Sequence, residues 1–165
     1  GCFLGQTSGK NAKNSETKTA CSLFGILIAL DARYFCCMKT SFAQLPPTVL
    51  SAIEGVSDIK GENLVLLDLR GLDNAVCDFF IIAEALSGTQ VNAMAESVRK
   101  RVREEADDRP WHVEGSQQSE WILMDYVSTV VHLFQREARA FYDLDGLWAD
   151  GVKIELPKQY LIDPV

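Results

Sequence analysis

The sequence predicts an α/β protein in which helices flank a mixed β-sheet. Two nearly continuous apolar runs of strand length, at residues 64–69 and 79–83, precede a long segment with helical periodicity that begins after Ser87 and ends before Pro110. Two further strand-like segments, at 121–126 and 129–134, are close enough in sequence to form a hairpin. Strand–helix units followed by a hairpin are typical of a mixed sheet with helices packed on it.

The chain length and the cysteine pattern limit the class of protein further. A chain of 165 residues suggests one domain, which can bury a core without disulfides or metal ions. Four of the five cysteines precede residue 38, no C-x-x-C pair exists, and there are only two histidines. A structural zinc site needs four well-spaced ligands, so we expect neither metal nor cofactor. We expect the cysteines to be reduced thiols in a reducing compartment.

Residues 1–37 differ in composition from the rest of the chain. Residues 5–19 are rich in Ser, Thr, Asn, Lys and Gly, a composition that cannot build a core, and the apolar run at 23–30 is too short to span a bilayer. We therefore expect a disordered or non-native extension at 1–37, a compact domain at 38–150 and a loose C-terminal tail at 151–165. Whether the extension is translated upstream sequence, added sequence or a transit segment stays open.

The charge balance indicates the kind of partner. The net charge is −7, and residues 1–37 hold four of the 16 basic and two of the 23 acidic side chains, leaving 12 basic and 21 acidic residues in the remainder. Because nucleic-acid-coating surfaces need clustered Lys and Arg, the acidic balance argues against DNA or a broad RNA surface as partner. It favours a basic protein instead, and no membrane partner is expected.

The first elements follow from apolar spacing. Pro46 and Pro47 suit the start of a helix, and apolar residues at helical spacing extend it over about 47–57. The two apolar runs then read as strands covered on both faces, joined by a turn at 71–74.

The long helix has a clear start and a clear end. Ser87 is a good N-cap, and apolar residues then fall three or four apart for about five turns, ending before Pro110. Its outer face carries four cations: Arg99, Lys100, Arg101 and Arg103. They form either an RNA-binding patch or a solvated face, where cations near the helix C-terminus are favoured by the helix dipole. Glutamates among them favour the solvated face.

Three strand-like segments and a short helix complete the compact domain. The first strand-like segment, at 111–114, is short, and the hairpin follows at 121–134. Since side chains alternate along a strand, one face of the first hairpin arm carries Trp121, Leu123 and Asp125, and the other carries Ile122, Met124 and Tyr126. A short helix is predicted at 136–142.

Catalytic constellations are poorly supported. A Ser87–Asp125–His132 triad lacks a G-x-S-x-G elbow, and Ser87 is better explained as a cap. No phosphate-binding P-loop is present. A metal-dependent nucleotidyl transferase would need two carboxylates one residue apart, but Asp68 is followed at that spacing by Arg70. We predict that the protein is not an enzyme.

Aromatic and polar residues of the hairpin are better candidates for a binding site. Trp121, Asp125, Tyr126 and His132 lie within twelve residues, and three more aromatics follow at Phe141, Tyr142 and Trp148. Trp and Tyr commonly anchor protein interfaces. The alternative is that these aromatics are core residues, which we expect for Phe141 and Trp148, with His132 as a structural histidine.

Three strings resemble those of the ribosomal silencing factor family, also called Iojap. They are Glu114-Gly115, E-W-I-L-M-D-Y-V-S-T-V-V-H-L-F at 120–134, and R-x-F-Y-D-L-D-x-L-W at 139–148. L-D-L-R-G at 67–71 and D-F-F-I-I at 78–82 are similar too, and the likeness runs from about residue 45 to residue 149.

The resemblance implies a nucleotidyltransferase-like fold without catalytic residues. It further implies a translational repressor that binds large-subunit ribosomal protein fourteen on the large ribosomal subunit and prevents the small subunit from joining. By this resemblance the partner-binding residues are Trp121, Asp125, Tyr126, His132 and Tyr142. A bacterial cytoplasmic protein is expected, or an organellar one if 1–37 is a transit segment. A residual nucleotidyltransferase, an adaptor for other complexes and a weak homodimer stay open.

The hairpin turn departs from the family pattern. Val127-Ser128 replaces the common Gly-Asp at the hairpin turn, so no glycine supplies a positive φ there.

Overall fold

The computed structural model describes residues 42–161. The expected extension at 1–37 and residues 162–165 lie outside the described residues. The helices are α1 (Pro47–Asp58), α2 (Gly88–Glu105), α3 (Arg136–Tyr142) and α4 (Leu144–Leu147). The strands are β1 (Glu62–Asp68), β2 (Phe79–Ala85), β3 (His112–Glu114), β4 (Trp121–Asp125), β5 (Thr129–Gln135) and β6 (Val152–Ile154). Short 3₁₀ turns lie at Phe42–Gln44 and Lys158–Tyr160, and none of the described helices is long and apolar enough to cross a membrane.

The described strands form one six-stranded sheet in the order β3-β4-β5-β2-β1-β6. The neighbours β2 and β5 run parallel, because the chain returns through α2 and the β3–β4 arm before β5 begins. The other neighbouring pairs are antiparallel. The predicted mixed sheet flanked by helices is therefore confirmed.

Helices α1 and α2 cover one face of the sheet. The buried residues of α2 recur at helical spacing and pack on alternate residues of the central strands: Val91, Met94, Val98 and Val102. The two helices approach closely at Gly55, where an added Cβ would lie 2.7 Å from the Cα of Val98. A side chain at that position would push the helices apart.

The ends and the outer face of α2 agree with the sequence prediction. The Ser87 hydroxyl accepts a hydrogen bond from the Gln90 N–H at 3.3 Å, so the predicted N-cap is confirmed. On the outer face Arg99 pairs with Glu96, and Arg101 makes ion pairs with three carboxylates: Glu54, Asp58 and Glu105. These two cations belong to a solvated, ion-paired face, as favoured from the sequence.

The opposite face of the sheet is covered only in part. Its central apolar residues, including Phe80, Ile82 and Phe134, are buried beneath Leu144 and the partly buried Trp148. Over β4 the residues of this face are only half-buried. The fold therefore leaves one side of the hairpin open.

Residues after Asp150 do not form the loose tail that the sequence suggested. Strand β6 pairs with the edge of β1, with Ile154 opposite Leu66 and only 6% exposed. Tyr160 then contacts the ring of Phe42, with centroids 5.6 Å apart. The prediction is wrong for residues 151–161, because β1 offers unpaired backbone groups that a three-residue segment can satisfy.

Candidate functional site

The open side of the hairpin is built by alternation along β4 and by the end of α3. Trp121, Leu123 and Asp125 are half-exposed, and the residues between them are buried on the helix side. At the end of α3, Phe141 is 81% and Tyr142 51% exposed. We call these five residues the hairpin face.

Trp121 occupies the centre of an aromatic cluster. Its ring stacks on Phe134, with centroids 4.9 Å apart and planes at 22°, and lies 5.0 Å from the ring of Tyr142. Its indole N–H donates to Nδ1 of His132 at 3.3 Å. Aromatic pairs contribute about 0.5–1.5 kcal/mol each beyond area burial, so the half-exposed indole is held in one orientation before any partner arrives.

His132 lies beneath this surface and not on it. The side chain is 4% exposed, and its ring meets the edge of Phe80 with centroids 4.7 Å apart. Because Nδ1 accepts from Trp121, we assign the proton to Nε2, which has no hydrogen-bond partner in the described part of the chain. Burial lowers the pKa of His132 to about 4, so the ring stays neutral near pH 7 and remains an acceptor for Trp121.

Asp125 shapes the hairpin turn. Its Oδ1 accepts the Val127 N–H at 2.7 Å, and the Ser128 N–H donates to the Tyr126 carbonyl at 2.9 Å. Val127 has φ +71°, so the turn takes a positive φ without a glycine. A β-branched residue in this region is strained, and the Asp125 carboxylate stabilises the strained turn.

The prediction that Tyr126 contacts a partner is corrected by its position. The side chain is 4% exposed and belongs to the cluster between the sheet and the helices α1 and α2. Its hydroxyl is buried without a hydrogen-bond partner among the described residues, and burial raises the pKa of the phenol. Period-two alternation along β4 explains this, because Tyr126 shares the side of Ile122 and Met124.

Phe141 was expected in the core and is instead a surface residue. Its ring lies nearly perpendicular to that of Tyr142, with centroids 5.2 Å apart. Trp148, also expected in the core, is partly buried with its ring edge-on to Phe80. The sequence reading missed Leu123 and Phe141 as surface candidates, although Leu123 shares the strand face of Trp121.

Ion pairs hold α3 against the end of β2. Glu84 is 5% exposed and lies 3.4 Å from Arg139 and 3.6 Å from Arg136, and Arg136 also pairs with the buried Glu62. Arg139 bonds in addition to Asp145 at 3.1 Å. These contacts fix the helix whose last turn carries the exposed aromatic pair of the hairpin face.

The residues considered for catalysis have structural partners. Ser87 caps α2, Asp125 closes the turn and His132 accepts from Trp121. The Asp68 carboxylate is bound by the Arg70 guanidinium at 2.7 and 3.0 Å, so a cation stands where a metal-binding partner would be needed. Among residues 42–161, no group of three or more His, Cys, Asp or Glu side chains is placed to hold a metal ion.

The fold and this surface define a small α/β protein with a half-open aromatic face of the kind that binds other macromolecules. Residues 43–163 match the family model described as "Ribosomal silencing factor during starvation". The chain belongs to the ribosomal silencing factor family.

Individual relatives agree with this assignment. Ribosomal silencing factor RsfS of Halalkalibacterium halodurans is 36% identical over 105 residues, which cover 64% of this chain and 88% of that protein. The chloroplastic protein Iojap of Zea mays is 32% identical over 114 residues, covering 66% of this chain and 46% of that protein. A crystal structure of a Chromobacterium violaceum protein is similar with a TM-score of 0.59 at 33% identity, covering 67% of this chain and 87% of that one.

Proposed function

We propose that this protein binds the large ribosomal subunit through the hairpin face and blocks joining of the small subunit by occupying its space. The contact on the subunit is large-subunit ribosomal protein fourteen, the partner that the family resemblance implies. The observation that carries the proposal is the half-exposed Trp121, held by Phe134, Tyr142 and His132 at the centre of an open aromatic surface. Membership of the ribosomal silencing factor family supports a ribosome-associated silencing role.

The mechanism is steric and needs no turnover. An interface of about 800 Å² per partner is the standard size for a stable complex, and a few aromatic anchors supply most of its free energy. Trp121, Asp125 and Tyr142 contact the partner directly, and Leu123 and Phe141 extend the surface. His132 acts from beneath by fixing the indole of Trp121, and Tyr126 is not part of the contact.

Charge steers the encounter. The chain carries a net charge of −7, so a basic ribosomal protein attracts it and the surrounding RNA repels it. The hairpin face itself includes Asp125, and the exposed residues Glu120 and Asp143 are the sequence neighbours of Trp121 and Tyr142. Binding should therefore weaken as salt rises, because screening shortens the range of the attraction.

Sedimentation with purified ribosomal subunits tests the proposal. The wild-type protein should pellet with large subunits and reduce their association with added small subunits. Tyr142→Ala should weaken both effects. Trp111→Ala is a matched control, because Trp111 is also exposed, at 81%, but lies outside the hairpin face. Equal binding by wild type and Tyr142→Ala would remove this residue from the interface.

Two rival functions have their own tests. Transfer of a labelled nucleotide to RNA by the protein with Mg²⁺ would overturn the non-enzymatic reading. Capture of complexes other than large subunits as the main partners in a lysate would favour an adaptor. The relatives include bacterial proteins and a chloroplastic one, so we propose action in the bacterial cytoplasm or in an organelle with bacterial-type ribosomes.

A further inference from the structure

Val127, at the hairpin turn, combines backbone strain with exposure. Its φ is +71°, and the other non-glycine residues with a positive φ among residues 42–161 are not β-branched. A β-branched residue is strongly disfavoured in the left-handed region, whereas glycine adopts it freely. The Val127 side chain is also 65% exposed, so core packing does not account for a valine at this position. Strained residues of this kind concentrate at functional surfaces.

A cavity of about 450 Å³ lies between the hairpin turn and the loop that joins β1 to β2. Val127 lines it together with Val76, which is 70% exposed. Polar groups line the cavity as well, among them Arg70, Cys77, Asp78 and Ser128. The Asp78 N–H donates to the Ser128 carbonyl at 2.9 Å, so the loop is fixed to the turn. We call this space the turn cavity.

The turn cavity continues the hairpin face. Cys77 lies in the apolar cluster against which Trp121 and Leu123 pack, so the loop occupies the same side of the sheet. Asp125 ends the strand half of the hairpin face about 13 Å from Trp121, and its carboxylate accepts the Val127 N–H at 2.7 Å. A standard interface uses roughly 20–30 residues per partner, far more than the hairpin face supplies. The exposed residues beyond Asp125 extend that surface in the direction of β4.

The charges at the turn cavity favour a cationic group. Burial, together with the negative charges of Asp78 and Asp125, raises the pKa of the Cys77 thiol to about 11, so both carboxylates act on the cavity wall. Arg70 also lines the cavity, but its guanidinium binds the Asp68 carboxylate at 2.7 and 3.0 Å. A lysine or arginine side chain carries methylenes that suit the valines and a charge that suits the carboxylates.

We propose that the turn cavity receives a lysine or arginine side chain of the basic protein that binds the hairpin face. Val76 and Val127 pack on the methylenes of that side chain, and Asp78 lies near its charge. Val127 is then a specificity-determining contact, which stabilises the complex although it strains the free turn. Glycine, which is common at this turn in the family pattern, would offer no such contact. The inference rests on the proposed docking of the hairpin face and extends that surface.

Replacement of Val127 by glycine separates strain from contact, because the two effects have opposite signs. Val127→Gly should unfold at a higher urea concentration than wild type but bind the isolated ribosomal protein roughly fivefold more weakly in isothermal titration. Val76→Ser removes the second valine and should weaken binding by a similar factor. The matched control is Leu161→Ser, because Leu161 is 51% exposed beside β6, at the far edge of the sheet from the hairpin. This control should bind like wild type.

Charge variants test whether the occupant is cationic. Asp78→Asn should weaken binding about threefold and reduce its dependence on salt, because a nearby attraction is lost. Asp73→Asn removes the same charge from an exposed position in the same loop that does not line the turn cavity, and should change the affinity by less than about twofold. Equal effects of the two variants would show general steering by charge and overturn the local contact.

The outcomes separate this inference from the proposed function. Weak binding by Trp121→Ala with wild-type affinity in Val127→Gly and Val76→Ser would overturn the turn contact and leave the hairpin face in place. A wild-type chain that does not bind the ribosomal protein would overturn both. A Val127→Gly variant less stable than wild type would show that the valine serves the turn itself, and would also overturn the proposed contact.

Discussion

Replacing Trp121 by alanine tests whether the hairpin face holds its partner through one central side chain. The substitution removes the stack on Phe134, the contact with Tyr142 and the hydrogen bond to His132. It leaves the strand pairing of β4 in place, because the backbone partners of that strand do not depend on the side chain. The change therefore acts on both the surface and the local packing, and the two effects must be separated.

The expected magnitudes follow from the position of the indole. A central Trp anchor contributes about 2 kcal/mol or more, so binding to isolated ribosomal protein fourteen should weaken roughly 30-fold. A fully buried Trp→Ala costs about 3–5 kcal/mol of stability, and the half-buried Trp121 should cost about 2 kcal/mol. Trp121→Phe retains a ring on Phe134 but loses the hydrogen bond to His132, and should lower the free energy of unfolding by about 1 kcal/mol.

A matched variant on the other side of β4 separates stability from binding. Ile122 is 1% exposed in the cluster under the helices, and Ile122→Val should lower the free energy of unfolding by about 1 kcal/mol without changing the hairpin face. Isothermal titration and urea unfolding on all three variants give both quantities. The reasoning is refuted if folded Trp121→Ala binds within twofold of wild type, or if Ile122→Val weakens binding as much.

Three further predictions concern the supporting structure. His132 has a pKa of 6.5 in the unfolded chain and about 4 in the folded chain, so the free energy of unfolding falls as the pH is lowered from 6.5 to 4 and is unaffected by this group above pH 6.5. His132→Asn should remove about 3 kcal/mol of this pH-dependent loss in urea unfolding. An unchanged pH profile in the variant would contradict the prediction. Val127→Gly relieves the strain at φ +71° and should raise the unfolding free energy by about 0.5–1 kcal/mol, so a lower denaturant midpoint would argue against strain. Arg139→Ala removes an ion-pair partner from the buried Glu84 and should lower the free energy of unfolding by about 3 kcal/mol, whereas Arg99→Ala, at an exposed ion pair, should lower it by under about 1 kcal/mol. Equal losses in thermal unfolding would show that the Arg139–Glu84 ion pair adds no special stability.

Local signals in the sequence predicted most elements of the fold. The Ser87 cap and the apolar spacing after it define α2, because capping and one-sided burial act over a few residues. Continuous apolar runs likewise located β1 and β2, and the hairpin formed where two strand segments lie close in sequence. The alternation along β4 already placed Tyr126 on the opposite strand face from Trp121, whereas proximity in sequence and the family resemblance both grouped the two residues in one site.

The sequence by itself determined the helices, the main strands and which side chains share a strand face, since these depend on periodicity and neighbouring residues. Only the tertiary structure decided that residues 152–154 form a strand, because that segment gains its hydrogen bonds from β1, more than 80 residues earlier in the chain. It also decided which face of the hairpin stays open. Exposure depends on what packs against a face, and the helices that cover Tyr126 while leaving Trp121 and Phe141 accessible are placed by contacts distant in sequence.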